Sequence, residues 1–172
     1  VTATINDATY TGFATETLTI SKATATVTIN DLSQTFDGSQ KSVSVTTNPV
    51  GLSFDLTYDG GTALPTDAGS YAVVATIYEM NYTGSMSSTL VVSKASQIII
   101  FDAIVNARQA DADFTLSATG GDSGNPIIFS SSNPAIASLS GNTVTIGDFG
   151  TATITAAQAG NSNYNAAVSV MQ

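Results

Sequence analysis

The amino-acid sequence predicts an all-β protein built from small antiparallel β-sandwich modules, immunoglobulin-like in kind and joined in a linear array. Three observations predict this fold class: a repeat as long as a small domain, apolar residues that alternate with polar ones, and turn residues at regular spacing. A repeat of this length is typical of a string of modules rather than of one catalytic body.

The repeat relates residues 3–23 to residues 75–95. The two stretches read ATINDATYTGFATETLTISKA and ATIYEMNYTGSMSSTLVVSKA, lie 72 positions apart and share 11 of 21 residues. Residues 152–164 echo the same pattern with an ATI start and an Asn-Tyr pair. The sequence therefore predicts three units: the last strands of a preceding repeat at 1–22, one module at 23–93 and a second module at 94–172.

Strands are predicted where apolar side chains occupy every second position. The clearest case is residues 52–58, where Leu52, Phe54, Leu56 and Tyr58 alternate with polar residues, so that one face is core and the other meets water. The same period occurs in three further sets, which are Ala25, Val27 and Ile29; Val43 and Val45; and Tyr71, Val73, Ala75 and Ile77.

Turn residues separate these strands. They are Asp37-Gly38, Asn48-Pro49, Asp59-Gly60-Gly61, Asp67-Ala68-Gly69, Asn133-Pro134 and Ser140-Gly141-Asn142. Strands roughly ten residues apart with such turns between them indicate an antiparallel sandwich. After Lys94 the pattern remains all-β, with strands expected at 97–103 and 114–118 and a glycine-rich loop at 120–126.

The segment at 22–95 resembles the repeats of the MBG family ("mostly beta, glycine-rich"). The resemblance is carried by the pieces QTFDG, SVTTNPVGL, DAGSYAVVATI and NYTGS in this order. The later pieces SSSNPAIASL, NTVTI and GTATITA are similar to the bacterial immunoglobulin-like domains of group 2. The resemblance implies that residues 94–172 form such a sandwich without its last strand. It also implies large secreted or surface-anchored bacterial proteins, often adhesins, and no shared catalytic residues.

Composition excludes several classes of function. The formal net charge is -9, with four Lys and Arg residues against 13 Asp and Glu, so no basic cluster is available for nucleic acid or an anionic membrane surface. The chain has no Cys and no His, which removes disulfides, thiol catalysis and structural zinc. No apolar run is long enough to span a membrane, and an extracellular or bacterial cell-surface location is expected.

Candidate sites are few. No catalytic residue and no cofactor are predicted, because Glu16 and Glu79 occupy corresponding stretches of successive repeats and are not expected to meet. Calcium is the one metal considered, with Asp102, Asp111 and Asp113 as candidate ligands and a solvated acidic loop as the alternative. For ligand binding, the candidates are Asp122 and Asn125 in the glycine-rich loop.

Two recurring residue types have structural and functional interpretations. Tyr10, Tyr82 and Tyr164 are interpreted as structural tyrosines that bury the ring and bond the hydroxyl to a loop backbone, with a sugar-binding platform as the alternative. Lys22, Lys41 and Lys94 are candidates for a Lys–Asn cross-link, which needs a buried Lys beside a carboxylate; exposed strand ends are the alternative for the two boundary lysines.

The main functional hypothesis is a non-catalytic stalk or spacer repeat of a large bacterial adhesin or fibre. The alternatives are a module that binds a glycan or a cell surface, and a protomer of a filament that assembles laterally through strand edges. The expected partners are neighbouring modules of the same chain, other copies of the chain, and a glycan or cell-surface ligand. Nucleic acid and membrane insertion are not expected.

Overall fold

The computed structural model describes residues 1–104 and 112–172, and these residues form β-strands and no helix, which confirms the all-β fold class. The first two strands are β1 (Thr2–Thr4) and β2 (Phe13–Thr15), which pair as an antiparallel hairpin. Every residue of 1–22 is exposed, so the hairpin has no core of its own.

The next eight strands build the first module. They are β3 (Ala23–Thr24), β4 (Thr26–Asn30), β5 (Ser33–Thr35), β6 (Ser44–Asn48), β7 (Phe54–Tyr58), β8 (Gly69–Ile77), β9 (Tyr82–Thr83) and β10 (Ser85–Ser93). One sheet has the order β5-β10-β8-β7, while β4 pairs with β6 and β3 pairs with β9.

The core of the first module follows from the alternation in its strands. Inward positions are the apolar ones, as in β4, where Val27 and Ile29 are buried between exposed threonines. Val73 and Leu90 are fully buried in β8 and β10, because these two long strands lie in the middle of the sheet. Burying such side chains is the main source of stability in a chain without disulfides.

Two strand pairings in the first module are parallel, namely β5 with β10 and β3 with β9. Alternation predicts which residues face inward but carries no information about strand direction, so these pairings did not follow from the sequence. The second of them matters for function, since β3 is the strand by which the chain enters the module. Gly84 makes room for it, because a Cβ at that position would overlap the carbonyl oxygen of Ala25.

The last eight strands build the second module. They are β11 (Ile100–Phe101), β12 (Phe114–Thr115), β13 (Ala118–Thr119), β14 (Ile127–Ser131), β15 (Ala137–Ser140), β16 (Thr143–Ile146), β17 (Ile154–Gln158) and β18 (Val170–Met171). They form the sheets β12-β16-β15, β14-β17-β18 and β11-β13. A second, separate core lies between these sheets, with Val144 and Ala156 as its most buried residues.

Two strands expected in the second module are shorter than predicted. Of residues 97–103, only β11 is a strand, and the side chain of Gln97 bonds the N–H of Ser123 in the glycine-rich loop. The strand expected at 114–118 is split, since β12 pairs with β16 whereas β13 pairs with β11. A chain that changes sheets in this way is a common feature of sandwiches.

Candidate functional site

The linker Lys94-Ala95 between the two modules is hydrogen-bonded to the module that follows it. The Nζ of Lys94 donates to the carbonyl oxygen of Asn161 at 2.6 Å. The N–H of Ala95 donates to the carbonyl oxygen of Asn163, and the N–H of Asn165 donates to that of Ala95, both at 2.9 Å. The linker is therefore fixed at its exit rather than being a loose tether.

The turn that receives the linker is held by the side chain of Asn161. Its Oδ1 accepts hydrogen bonds from the N–H groups of Asn163 and Tyr164, both at 2.8 Å. An Asn side chain that bonds the backbone two and three residues later forms an Asx turn. Gly160 precedes the turn, where a Cβ would overlap the carbonyl oxygen of Tyr164. The turn thus presents two side chains, those of Asn163 and Tyr164, to the first module.

Asn163 connects the two modules through both ends of its amide. Its Oδ1 accepts the backbone N–H of Ala68, and its Nδ2 donates to Oδ1 of Asp67, each at 2.9 Å. Asp67 and Ala68 belong to the turn before β8 in the first module, 95 or 96 positions away in sequence. Because one oxygen accepts and one nitrogen donates, the two bonds define a single orientation of the amide.

Tyr164 makes the aromatic contact of the same interface. Its ring meets that of Phe36 edge to face, with 5.4 Å between ring centroids and 79° between the planes. Phe36 follows β5 and is held there by the hydrogen bond from its N–H to the carbonyl oxygen of Ser93. Edge-to-face geometry is favoured by the ring quadrupoles. We call this set of contacts, from Lys94-Ala95 to Asn163 and Tyr164, the joint.

The joint has the chemistry of a structural contact. It combines backbone hydrogen bonds, one neutral amide and two aromatic rings, and the amine of Lys94 and the carboxylate of Asp67 are each engaged in a hydrogen bond within it. The Asn-Tyr echo at 163–164 was visible in the sequence, but its partners were not, because they lie in a different module. What the arrangement does is to hold two modules at one relative orientation.

The interpretation of the three recurring tyrosines needs correction in part. Tyr82 and Tyr164 are half-buried, as the structural interpretation expects, but Tyr10 is 70% exposed because its hairpin stands without a core. The hydroxyls that bond a loop backbone belong instead to Tyr58, which accepts the N–H of Val43 at 3.0 Å, and to Tyr71, which donates to the carbonyl oxygen of Asp67 at 2.8 Å. The bond of Tyr71 braces the turn that Asn163 contacts.

Of the three candidate calcium ligands, the structure describes Asp102 and Asp113, and calcium binding stays a prediction. Asp102 is exposed at the end of β11, and Oδ2 of Asp113 accepts a hydrogen bond from the hydroxyl of Thr145 at 2.9 Å. Asp111 lies outside the described residues. In residues 1–104 and 112–172 no group of three or more Asp, Glu, His or Cys side chains is arranged to hold a metal ion.

The glycine-rich loop at 120–126 is tied to the body of the second module. Asp122 is exposed, whereas Nδ2 of Asn125 donates to the carbonyl oxygens of Ala159 and Gly160 at 3.2 and 2.8 Å. The amide of Asn125 is therefore already engaged in structural hydrogen bonds. Ligand binding by Asp122 and Asn125 stays a prediction.

Two buried glutamines hold this loop from beneath. Gln158 accepts the N–H of Gly121 and donates to the carbonyl oxygen of Asn125, both at 2.7 Å. Gln97 accepts the N–H of Ser123 at 3.1 Å. Both are over 90% buried. Sequence reasoning missed them, although Gln158 continues the inward alternation of β17 and so carried a readable signal.

The three lysines differ in their surroundings. Lys22 and Lys94 are exposed and donate to the backbone carbonyl oxygens of Glu79 and Asn161. Lys41 is buried, and its Nζ lies 2.7 Å from Oδ1 of Asp37. This hydrogen bond from Lys41 lowers the pKa of the Asp37 carboxyl. Because the carboxylate of Asp37 balances its charge, the amine of Lys41 can be buried without a covalent bond. The Lys–Asn cross-link stays a prediction.

Two further surface features bear on catalysis. The Oε1 of Glu79 accepts the N–H of Ser53 at 2.9 Å, and this bond lowers the pKa of the carboxyl. A shallow depression of about 300 Å³ in the second module is lined, among the described residues, by side chains without a titratable group: Ile127, Ile128, Phe129, Leu139, Gly141 and Asn142. Neither feature assembles an acid–base pair.

The fold and the joint together define the class of the protein: it is an all-β protein built from successive modules. The linker that leads into the second module is hydrogen-bonded to that module. The sequence model of the MBG domain matches residues 1–24 and 25–96, which is more than half of the chain. The chain therefore belongs to the MBG domain family, which confirms that part of the resemblance. Neither the comparison with curated proteins nor that with solved structures found a match. In the part of the chain that the structure describes, no helix is long and apolar enough to cross a membrane.

Proposed function

We propose that this chain is a structural spacer, without catalytic activity, in a large secreted or surface-anchored bacterial adhesin or fibre. Membership in the MBG domain family supports the coarser statement, that the chain carries repeats of the kind found in large bacterial surface proteins. The finer statement, a spacer, rests on the joint.

The joint carries the proposal because a spacer must hold successive modules in a defined relation. Asn163 bonds the first module through two hydrogen bonds, and Tyr164 packs on Phe36. These contacts use residues of both modules and need no ligand. Of the two candidate ligand-binding residues, Asp122 is exposed, whereas the amide of Asn125 is occupied by the backbone of its own module, which leaves less of this loop for a ligand.

We also propose that the second module is an immunoglobulin-like sandwich of the bacterial group 2 kind. The pieces SSSNPAIASL, NTVTI and GTATITA coincide with the end of β14 and most of β15, with β16, and with the start of β17. These strands surround one core, as the sandwich requires. An extracellular location agrees with the absence of Cys in a module stabilised by packing alone and with a net charge of -9, which limits aggregation.

Light scattering and small-angle X-ray scattering on the full chain test the proposal. We expect an elongated monomer at low micromolar and at high concentration, with the same scattering in calcium and in chelator. No binding to a polysaccharide panel is expected. A defined oligomer would contradict the proposal in favour of lateral assembly, and glycan binding that is lost when residues 120–126 are replaced would contradict it in favour of a binding module.

A further inference from the structure

The turn that ends in tyrosine at the joint occurs three times in the chain. Its three copies are residues 7–10, 79–82 and 161–164. In the first copy, Oδ1 of Asp7 accepts the N–H groups of the residues two and three positions later, at 2.7 and 3.1 Å. This is the Asx turn that Asn161 forms in the third copy. The first and third turns are thus structural equivalents, whereas the second begins with Glu79, whose carboxylate accepts the N–H of Ser53 instead.

The second copy receives its linker as the third copy does. The Nζ of Lys22 donates to the carbonyl oxygen of Glu79 at 2.6 Å, the distance found for the equivalent bond of Lys94. The N–H of Ala23 donates to the carbonyl oxygen of Asn81 at 2.8 Å, and Ala23 pairs in parallel with Tyr82. Asn81 and Tyr82 therefore occupy in the first module the places that Asn163 and Tyr164 occupy in the second.

The two equivalent surfaces differ in the exposure of the asparagine, whereas the tyrosine is half-buried in both. At the joint, Asn163 and Tyr164 are half-buried against the first module. At the other end of the first module, Asn81 is exposed, and its neighbours Tyr78 and Met80 are 76% and 85% exposed. An amide and large apolar side chains at the end of a module are the composition of an interface rather than of a solvated surface.

Residues 1–22 indicate what kind of module belongs there. β1 and β2 pair in the register of β8 and β10, since Thr4 pairs with Phe13 as Thr76 pairs with Ser85. Of this unit the chain holds the two last strands, without the counterparts of Phe36 and of the Asp67-Ala68 turn.

The exposed apolar residues of the hairpin give the same indication. Leu18 is 68% exposed and Ile20 86%, whereas Leu90 and Val92, their counterparts 72 positions later, are 0% and 2% exposed. These side chains are core residues that lack their core. A complete module placed before Lys22 would bury them and would set a turn and an aromatic ring beside Asn81 and Tyr82.

We propose that Asn81 and Tyr82 form a docking surface for a preceding MBG module, which contributes an Asp-Ala-Gly turn to the amide and a phenylalanine ring to the tyrosine. The inference deepens the proposed function and rests on it, since it makes the joint a repeated device rather than a single contact. Its partner is a module of the same family that carries the equivalents of Phe36, Asp67 and Ala68.

The test inserts a second copy of residues 23–94 after Lys94 of the full chain. Ala68 of the upstream copy then faces Asn81 of the inserted copy, and Ser70→Thr in the upstream copy gives its peptide a distinct mass. Hydrogen exchange is measured on the peptides that contain Ala68. We expect both Ala68 amides to be protected, and Asn81→Ala in the inserted copy to speed exchange of the upstream amide by about tenfold or more.

Controls lie within the same chain. Ala68 of the inserted copy, which faces Asn163, should keep its protection, and so should both copies of Val73, which report on the folded core. Ser87→Ala, at an exposed position of β10, should leave all rates unchanged. If Asn81→Ala disturbs the core, Asn81→Asp replaces it, and its effect should be reversed by Asp67→Asn in the upstream copy.

An upstream Ala68 that already exchanges at the unprotected rate in the unsubstituted chain overturns the inference. If solution scattering then still shows an extended monomer, the spacer function is supported, and the link between MBG modules is flexible. Oligomerisation or glycan binding would contradict the spacer function. Protection of the upstream Ala68 amide would still show whether Asn81 and Tyr82 dock a preceding module.

Discussion

Asn163→Ala should weaken the joint, and the structure sets the magnitude. The substitution removes the hydrogen bonds of the side chain with the N–H of Ala68 and with the carboxylate of Asp67, both 2.9 Å long. Such a bond contributes about 0.5–1.5 kcal/mol, and partial exposure places these two in the lower half of that range. We therefore expect the free energy of unfolding to fall by about 1–2 kcal/mol.

The substitution Asn163→Asp separates charge from size. It keeps an oxygen to accept the N–H of Ala68 but places a second carboxylate against that of Asp67 at pH 7. Repulsion between charges at this separation costs about 1 kcal/mol in water, so this variant should be less stable than Asn163→Ala. Adding Asp67→Asn should recover most of the loss, because an amide again faces a carboxylate.

Urea unfolding provides the assay, followed by circular dichroism and by tyrosine fluorescence, since the chain has six Tyr and no Trp. The modules have separate cores, so the change is expected in the transition of the module that unfolds first. Ser162→Ala, at the exposed neighbouring position, is the matched control. The reasoning fails if Asn163→Ala and Ser162→Ala agree within about 0.3 kcal/mol, or if Asp67→Asn gives no rescue.

Three further predictions concern the cores and the pH response. Leu90→Ala should cost about 2–5 kcal/mol, whereas Leu18→Ala at the equivalent exposed position should stay within about 0.5 kcal/mol; equal costs by urea unfolding would contradict this. Gln158→Leu should cost about 2–4 kcal/mol, since it leaves buried loop groups without partners; an unchanged thermal midpoint would count against that role. Because folding lowers the pKa of Glu79 through the N–H of Ser53, its contribution to stability is present above the ordinary carboxyl pKa and is lost as pH falls through the lowered pKa. Glu79→Gln should flatten that part of the curve of thermal midpoint against pH.

The strands could be predicted where one face is core and the other is solvent. Residues 25–29 and 71–77 alternate in sequence and in burial alike, because a strand turns successive side chains to opposite faces. The prediction was poorer at 97–103, where only Ile100 and Phe101 pair as a strand, with β13. A local sequence pattern does not show how many residues will find a partner strand.

The candidate site was less predictable than the fold. The Asn-Tyr pair at 163–164 was recognised as part of a repeat, and so was the Asp67-Ala68-Gly69 turn. That these two elements meet was not foreseen. Their contact depends on how Lys94 and Ala95 direct the chain into the next module, which is set by a parallel pairing invisible to alternation.

The sequence by itself determined the all-β class, the repeat with its MBG family, and the lack of Cys and His chemistry, because composition, period and alternation are properties of the chain alone. Only the tertiary structure decided that Lys41 is buried in an ion pair, that Gln158 holds a loop, and that Asn163 binds Asp67 across the joint. Each of the last two involves groups more than 30 positions apart, and all three depend on burial or proximity that only the folded chain path creates.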